Sequence, residues 1–188
     1  MHRLREELSR IRLVLVNEDR AEFVPDYSFG EKVERAFPSS IRDVADAGGC
    51  LAVDLNTAAV FHLMRVAEHG LRAIAHDRRI KIPKKRPVEL ATWDDIIKGL
   101  EKAEDDIIGY PQTLAREAQL AFYHGAMMQL KRFKNVFRNR VSHTREDFGR
   151  TQALGVLENV REFMGTLATR ISEKTRTPVV WKGKKWES

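Results

Sequence analysis

The run Arg138-Asn139-Arg140-Val141-Ser142-His143 holds the residue types needed to cleave a phosphodiester without a metal. A guanidinium clamps a phosphate with two parallel N–H bonds and stabilises the charge that builds on it. An imidazole moves a proton near neutral pH. An amide orients either group. The spacing sets a geometric condition. Arg138 and His143 are five positions apart, so on one unbroken helix they point about 140° apart. They converge only if the helix ends between them or if a second subunit brings its own pair. Val141, Ser142 and Thr144 are poor helix formers, and Thr144 with Asp147 is a weak capping-box signature for a new helix. A non-chemical reading stays open: Arg and Asn at a helix C-terminus satisfy orphan carbonyls, with His143 in a turn.

The elements that must position these residues are helical. The chain has 188 residues, 43% of them hydrophobic and 32% charged, with 11 Gly and 6 Pro. So few turn formers argue for long helices and one core rather than a many-stranded sheet. Cys50 is the only cysteine, which excludes an internal disulfide and predicts a reducing, cytoplasmic setting. No apolar run reaches membrane-span length, and no signal-peptide pattern opens the chain. The net charge is +6, unevenly spread: residues 1–110 carry 18 Lys/Arg against 20 Asp/Glu, and residues 111–188 carry 15 against 7. The positive excess falls in the half with the Arg-His run. That predicts a polyanionic partner, or merely a solubilising basic surface.

Apolar periodicity predicts a helix over 2–20, then an irregular stretch to 37 anchored by Phe23, Tyr27 and Phe29. A helix follows from Ser39 or Ser40 to about Ala47, where Gly48-Gly49 loosens it. The stripe Leu55, Ala59, Leu63, Ala67, Leu71 and Ile74 predicts a helix from Leu51 to about His76. Residues 77–91 read as a loop. Thr92 with Asp95 caps a short helix to about Ala103. Tyr123, Met127, Leu130, Phe133 and Phe137 mark the buried side of a helix over 112–138. Ala153, Leu157, Val160, Met164, Leu167 and Ile171 mark the seam of a last one over 146–173. The tail 174–188 is basic and aromatic. Its Trp181 and Trp186 are read as packing rather than base stacking.

Other constellations carry less. His62, His69 and His76 recur every seven residues, about 10.5 Å of helix rise, too far apart to share one ion. They read as surface or interface histidines. No Glu-x-x-His occurs, so a di-iron bundle is disfavoured, and neither common phosphate-binding glycine loop is present. No metal ligand set and no cofactor is assigned. The loop lysines Lys84 and Lys85 read as a solvated basic patch able to touch phosphates.

The segment from Ala36-Phe37-Pro38-Ser39-Ser40 through Asp54 to Arg72 resembles the first helical pair of proteins of the HEPN superfamily, an uncharacterised bacterial branch of a group known from toxin and defence systems. The family's Arg-x-x-Glu on an alanine-rich helix matches Arg65 and Glu68. Its Arg-polar-x(4–6)-His signature matches Arg138, Asn139 and His143. The resemblance covers about 36–173, with an insertion at 77–111, inside a single domain of 1–188 whose residues 1–35 form an N-terminal helix and irregular segment. It implies an all-α helical bundle with long antiparallel helices and a homodimer whose cleft lies at the two-fold interface.

The implied activity is metal-independent endoribonuclease chemistry by 2′-OH attack. His143 would serve as general base or acid, Arg138 would stabilise the phosphorane, Asn139 would position the phosphate or His143, and Glu68 would orient Arg138 or pair with Arg65. Arg140, Arg145, Lys134, Lys84 and Lys85 would hold RNA, and a cognate antitoxin protein is an implied partner. The toxin branch modified by a partner nucleotidyltransferase has Tyr two positions after the His, where this chain has Arg145. The alternative is a non-catalytic helical module of the same type that binds RNA or a protein.

Overall fold

The computed structural model describes residues 15–24, 26–138 (backbone only for 136–138) and 147–174. Among them every regular element is helical and none is a strand. The α-helices are α1 (Glu31–Ala36), α2 (Ile41–Ala52), α3 (Asn56–Asp77), α4 (Trp93–Ile108), α5 (Leu114–Arg132) and α6 (Arg150–Leu167), and α5 runs on as a π turn over Phe133–Arg138. Short 3-10 turns occur at Glu18–Phe23, Pro38–Ser40, Pro83–Lys85 and Val88–Leu90.

Helix α3 is central. It packs against α2, α6, α4 and the π turn, while α5 lies mainly against α4. The predicted stripe is the reason: Ala59, Leu63, Ala67, Leu71 and Ile74 are all buried. Leu55 is the exception at 57% exposed, because a turn at 53–55 separates α2 from α3 and the predicted continuous helix from Leu51 is broken there. Asp54 takes φ 60° in that turn. Asp43 and Arg65, equally distant in sequence from Asp54, pair with each other, as the two arms of a helical hairpin should.

The α6 seam is buried along its whole predicted length, from Ala153 to Ile171. It approaches α3 closely at Gly70, where a Cβ would lie 2.7 Å from Phe163 Cε1 and 2.8 Å from Leu167 Cδ1. Phe133 stacks edge-on against Phe163 with ring centroids 5.4 Å apart, which ties the end of α5 to the same centre.

Several boundaries differ from expectation. Residues 15–17 are non-helical and 18–23 form a 3-10 turn; the rest of the predicted first helix lies outside the described residues. The stretch read as irregular contains α1, although Phe23 and Phe29 are buried anchors as expected. Helix α2 runs straight through Gly48-Gly49 to Ala52. Gly48 is there because Tyr27 packs directly on it and leaves no room for a Cβ. Helix α4 opens with the predicted Thr92–Asp95 capping box but continues to Ile108. Helix α6 opens at Arg150, where the Gln152 side chain accepts from the Gly149 N–H at 3.0 Å. Asp147 instead meets Thr57 on α3, so it does not cap α6; Thr144 lies outside the described residues.

Candidate functional site

The basic motif begins where α5 changes pitch. A π turn over Phe133–Arg138 replaces the last α-helical turns; such turns are rare and concentrate at functional sites. The buried ring of Phe133, 1% exposed, anchors its first residue. The next residue, Lys134, pairs with Asp94 in the first turn of α4. Of Arg138 the backbone is described. Asn139, Arg140, His143 and Arg145 lie outside the described residues, as do the tail tryptophans.

The supporting pair is described in full. Arg65 and Glu68 share α3 but turn to different partners. Glu68 Oε1 accepts from the indole Nε1 of Trp93 at 2.8 Å, and Arg72 lies 3.4 Å from its other oxygen. Arg65 Nε donates to Asp43 Oδ1 at 2.7 Å. Neither residue hydrogen-bonds the other among the described contacts, although the Glu68 charge still acts on Arg65. The Arg138 side chain, the other expected partner of Glu68, lies outside the described residues. Buried Asp43 demands a cation, and Trp93, 4% exposed, demands an acceptor for its N–H. The first turn of α4 is consequently held from two sides: Trp93 by Glu68 of α3, and Asp94 by Lys134 of the π turn.

A second cluster escaped the sequence reading. Asp43 is 6% exposed on α2. Besides Arg65, it faces His62 Nδ1 at 3.2 Å from Oδ1 and His69 Nε2 at 3.6 Å from Oδ2. Burial works to raise its carboxyl pKa, but the hydrogen bonds from Arg65 and His62 and the nearby positive charge outweigh this and hold it below the ordinary carboxylate value. The same bond raises the Arg65 pKa further. Asp46, one turn along, has an oxygen 4.0 Å from His62 Nδ1. On the far side His69 Nδ1 lies 3.5 Å from Glu173. An isolated Asp on a helix gives no signal in the sequence. Its partners lie 19 and 22 residues away on the facing helix, and only the hairpin joins them.

The remaining candidates are scattered. Lys84 and Lys85 are exposed on a 3-10 turn with φ of 60° and 54°, and no ion pair to either is seen among the described residues. His76 meets Glu89 at 3.2 Å. Each of the three heptad-spaced histidines thus faces a carboxylate. No helix among the described residues is long and apolar enough to cross a membrane. Comparison with family models, with curated proteins and with solved structures finds no match to this chain.

Proposed function

We propose that the chain is a metal-independent endoribonuclease of HEPN type, acting at an Arg138/His143 site completed by a second copy. The observation that carries the reading is the double tether on the first turn of α4. Glu68 of α3 holds Trp93, and Lys134, four residues before Arg138, holds the adjoining Asp94. The acid of one family motif and the root of the other are thereby linked through two consecutive residues. The π turn and the charge bias of residues 111–188 support the same reading.

In the proposed chemistry His143 takes the proton of the 2′-OH or supplies one to the leaving 5′-oxygen. Arg138 neutralises the charge gathering on phosphorus, and Asn139 orients one of them. Arg140 and Arg145 add phosphate contacts beside the reacting group. The test is incubation of the full chain with RNA in EDTA. The expected products end in 2′,3′-cyclic phosphates, DNA survives, and Arg138→Ala and His143→Ala abolish cutting with helix content unchanged. Persistence of cutting in His143→Ala overturns the assignment.

One observation favours a second reading, a non-catalytic helical module binding RNA or a protein. Lys134 and Glu68 are both committed to internal partners, as scaffold residues are. RNA binding without cleavage by the wild type is the result that selects it.

A further inference from the structure

The α2–α3 hairpin brings two carboxylates and an imidazole to one point. Asp43 and Asp46 are one turn apart on α2, and His62 faces them from α3. One ligand atom from each lies within 4.8 Å of the other two. His62 Nδ1 stands 3.2 Å from Asp43 Oδ1 and 4.0 Å from Asp46 Oδ2. Donors sharing one tetrahedral ion at about 2.1 Å stand about 3.4 Å apart, so the arrangement is nearly drawn in. The donor that must move is Asp46. It is free to do so, being 45% exposed with Arg42, itself 93% exposed, at 3.9 Å as its other ion-pair partner.

Charge points the same way. Asp43 is neutralised by Arg65 at 2.7 Å, while Asp46 beside it has the solvated Arg42 at 3.9 Å and His62 at 4.0 Å. A third carboxylate, Glu173, joins through His69, and its buried Oε1 has no hydrogen-bond partner. The neighbourhood therefore keeps an excess of negative charge around two imidazoles. A support of a ligand set is present as well: Arg65 donates to Asp43 Oδ1 and His69 stands 3.6 Å from Oδ2, positions that outer partners take around bound metals.

We infer that Asp43, Asp46 and His62 form a three-ligand site for a divalent transition ion of the zinc type. The mixed imidazole and carboxylate set favours zinc over magnesium or calcium. The ion would replace the hydrogen bond between His62 and Asp43, and water would complete its shell on the exposed Asp46 side. It would clamp α2 to α3 across the hairpin, independently of the RNA chemistry proposed above.

The experiment is calorimetric titration of the chelator-treated full chain with Zn2+, together with Co2+ absorbance in the visible. Wild type should bind Zn2+ and give the intense d–d bands of a low-coordinate cobalt site. Asp46→Asn and His62→Gln should each weaken that binding by more than about 10-fold, the loss seen when even an outer partner is removed, with circular dichroism unchanged. Asp46 is exposed, so its variant tests the site even if His62→Gln disturbs the hairpin. His76→Gln, on the same helix beside Glu89, should bind like wild type. No Zn2+ binding by wild type, or binding that Asp46→Asn leaves intact, overturns the site.

Discussion

The phenol of Tyr123 donates a hydrogen bond to Asp77, the last residue of α3. A carboxylate at a helix C-terminus meets the negative end of the helix dipole, and Asp77 is only 3% exposed. Its second oxygen is buried without a hydrogen-bond partner, so the Tyr123 bond carries much of the compensation. The Arg78 guanidinium lies over the Tyr123 ring, 4.8 Å from its centroid. Tyr123→Phe should destabilise the fold by about 1.5–3 kcal/mol, the range for a buried hydrogen bond to a charged group. Urea denaturation at pH 7 measures it. A change near zero would mean the carboxylate does not depend on the phenol.

The same pair makes stability fall in alkali. Burial, then the charge and hydrogen bond of Asp77, push the Tyr123 hydroxyl well above its ordinary value of 10.0. The folded state therefore holds this proton more tightly than the unfolded chain does. The contribution is complete below about pH 10 and is lost as pH rises from there toward the folded value. The difference in unfolding free energy between wild type and Tyr123→Phe should shrink between pH 9 and pH 11. A constant difference refutes the linkage.

Truncating the α6 seam should be costly. Leu157 and Met164 are 2% and 0% exposed, and Leu157→Ala or Met164→Ala should each lose about 2–5 kcal/mol. Gly70→Val, set against Phe163 and Leu167, should also destabilise strongly, because α3 and α6 must part to admit it. Thermal melting of the three variants checks this; a wild-type midpoint for any of them would contradict the close contact.

The basic loop can be separated from the motif. Lys84 and Lys85 are exposed, whereas Lys134 has Asp94 as its counter-charge. Replacing Lys84 and Lys85 by Ala should weaken single-stranded RNA binding and make its dependence on salt shallower by about 0.7 in slope per lost phosphate contact. Lys134→Ala should change the slope less. Filter binding across a salt series distinguishes them, and equal slopes for all proteins would remove the loop from the RNA surface.

What the sequence revealed was periodic. The stripes of α3, α5 and α6 repeat every three to four residues, and burial follows them among the described side chains, which do not include Phe137, because a helix face must meet the core. The Thr92–Asp95 cap was equally legible, since both halves of the box lie within one turn. Features fixed by a distant neighbour were hidden. Gly48 resembles a helix breaker until Tyr27 is seen resting on it. The turn at 53–55 contains no Gly or Pro to announce it. It is held instead by Asp54, whose left-handed backbone carries a side chain paired to Arg20. At the candidate site Arg65 and Glu68 were identifiable as residues, but their partners Asp43 and Trp93 lie on other helices and leave no local pattern.

The segment that follows α6 returns to the beginning of the hairpin. The Glu173 N–H donates to Ala36 O at 2.9 Å, and its carboxylate accepts from the Ser39 N–H at 3.2 Å, across 134 positions of chain. During vectorial synthesis residues 36–39 leave the ribosome long before residue 173 exists. The α2–α3 hairpin has its partners early, whereas the segment that enters it must wait until α6 has been made and docked. At about 5–20 residues per second, that is a delay of many seconds. Through it, Gly70 and the apolar face around it stand uncovered, a surface that a chaperone or a second nascent chain would meet before α6 does.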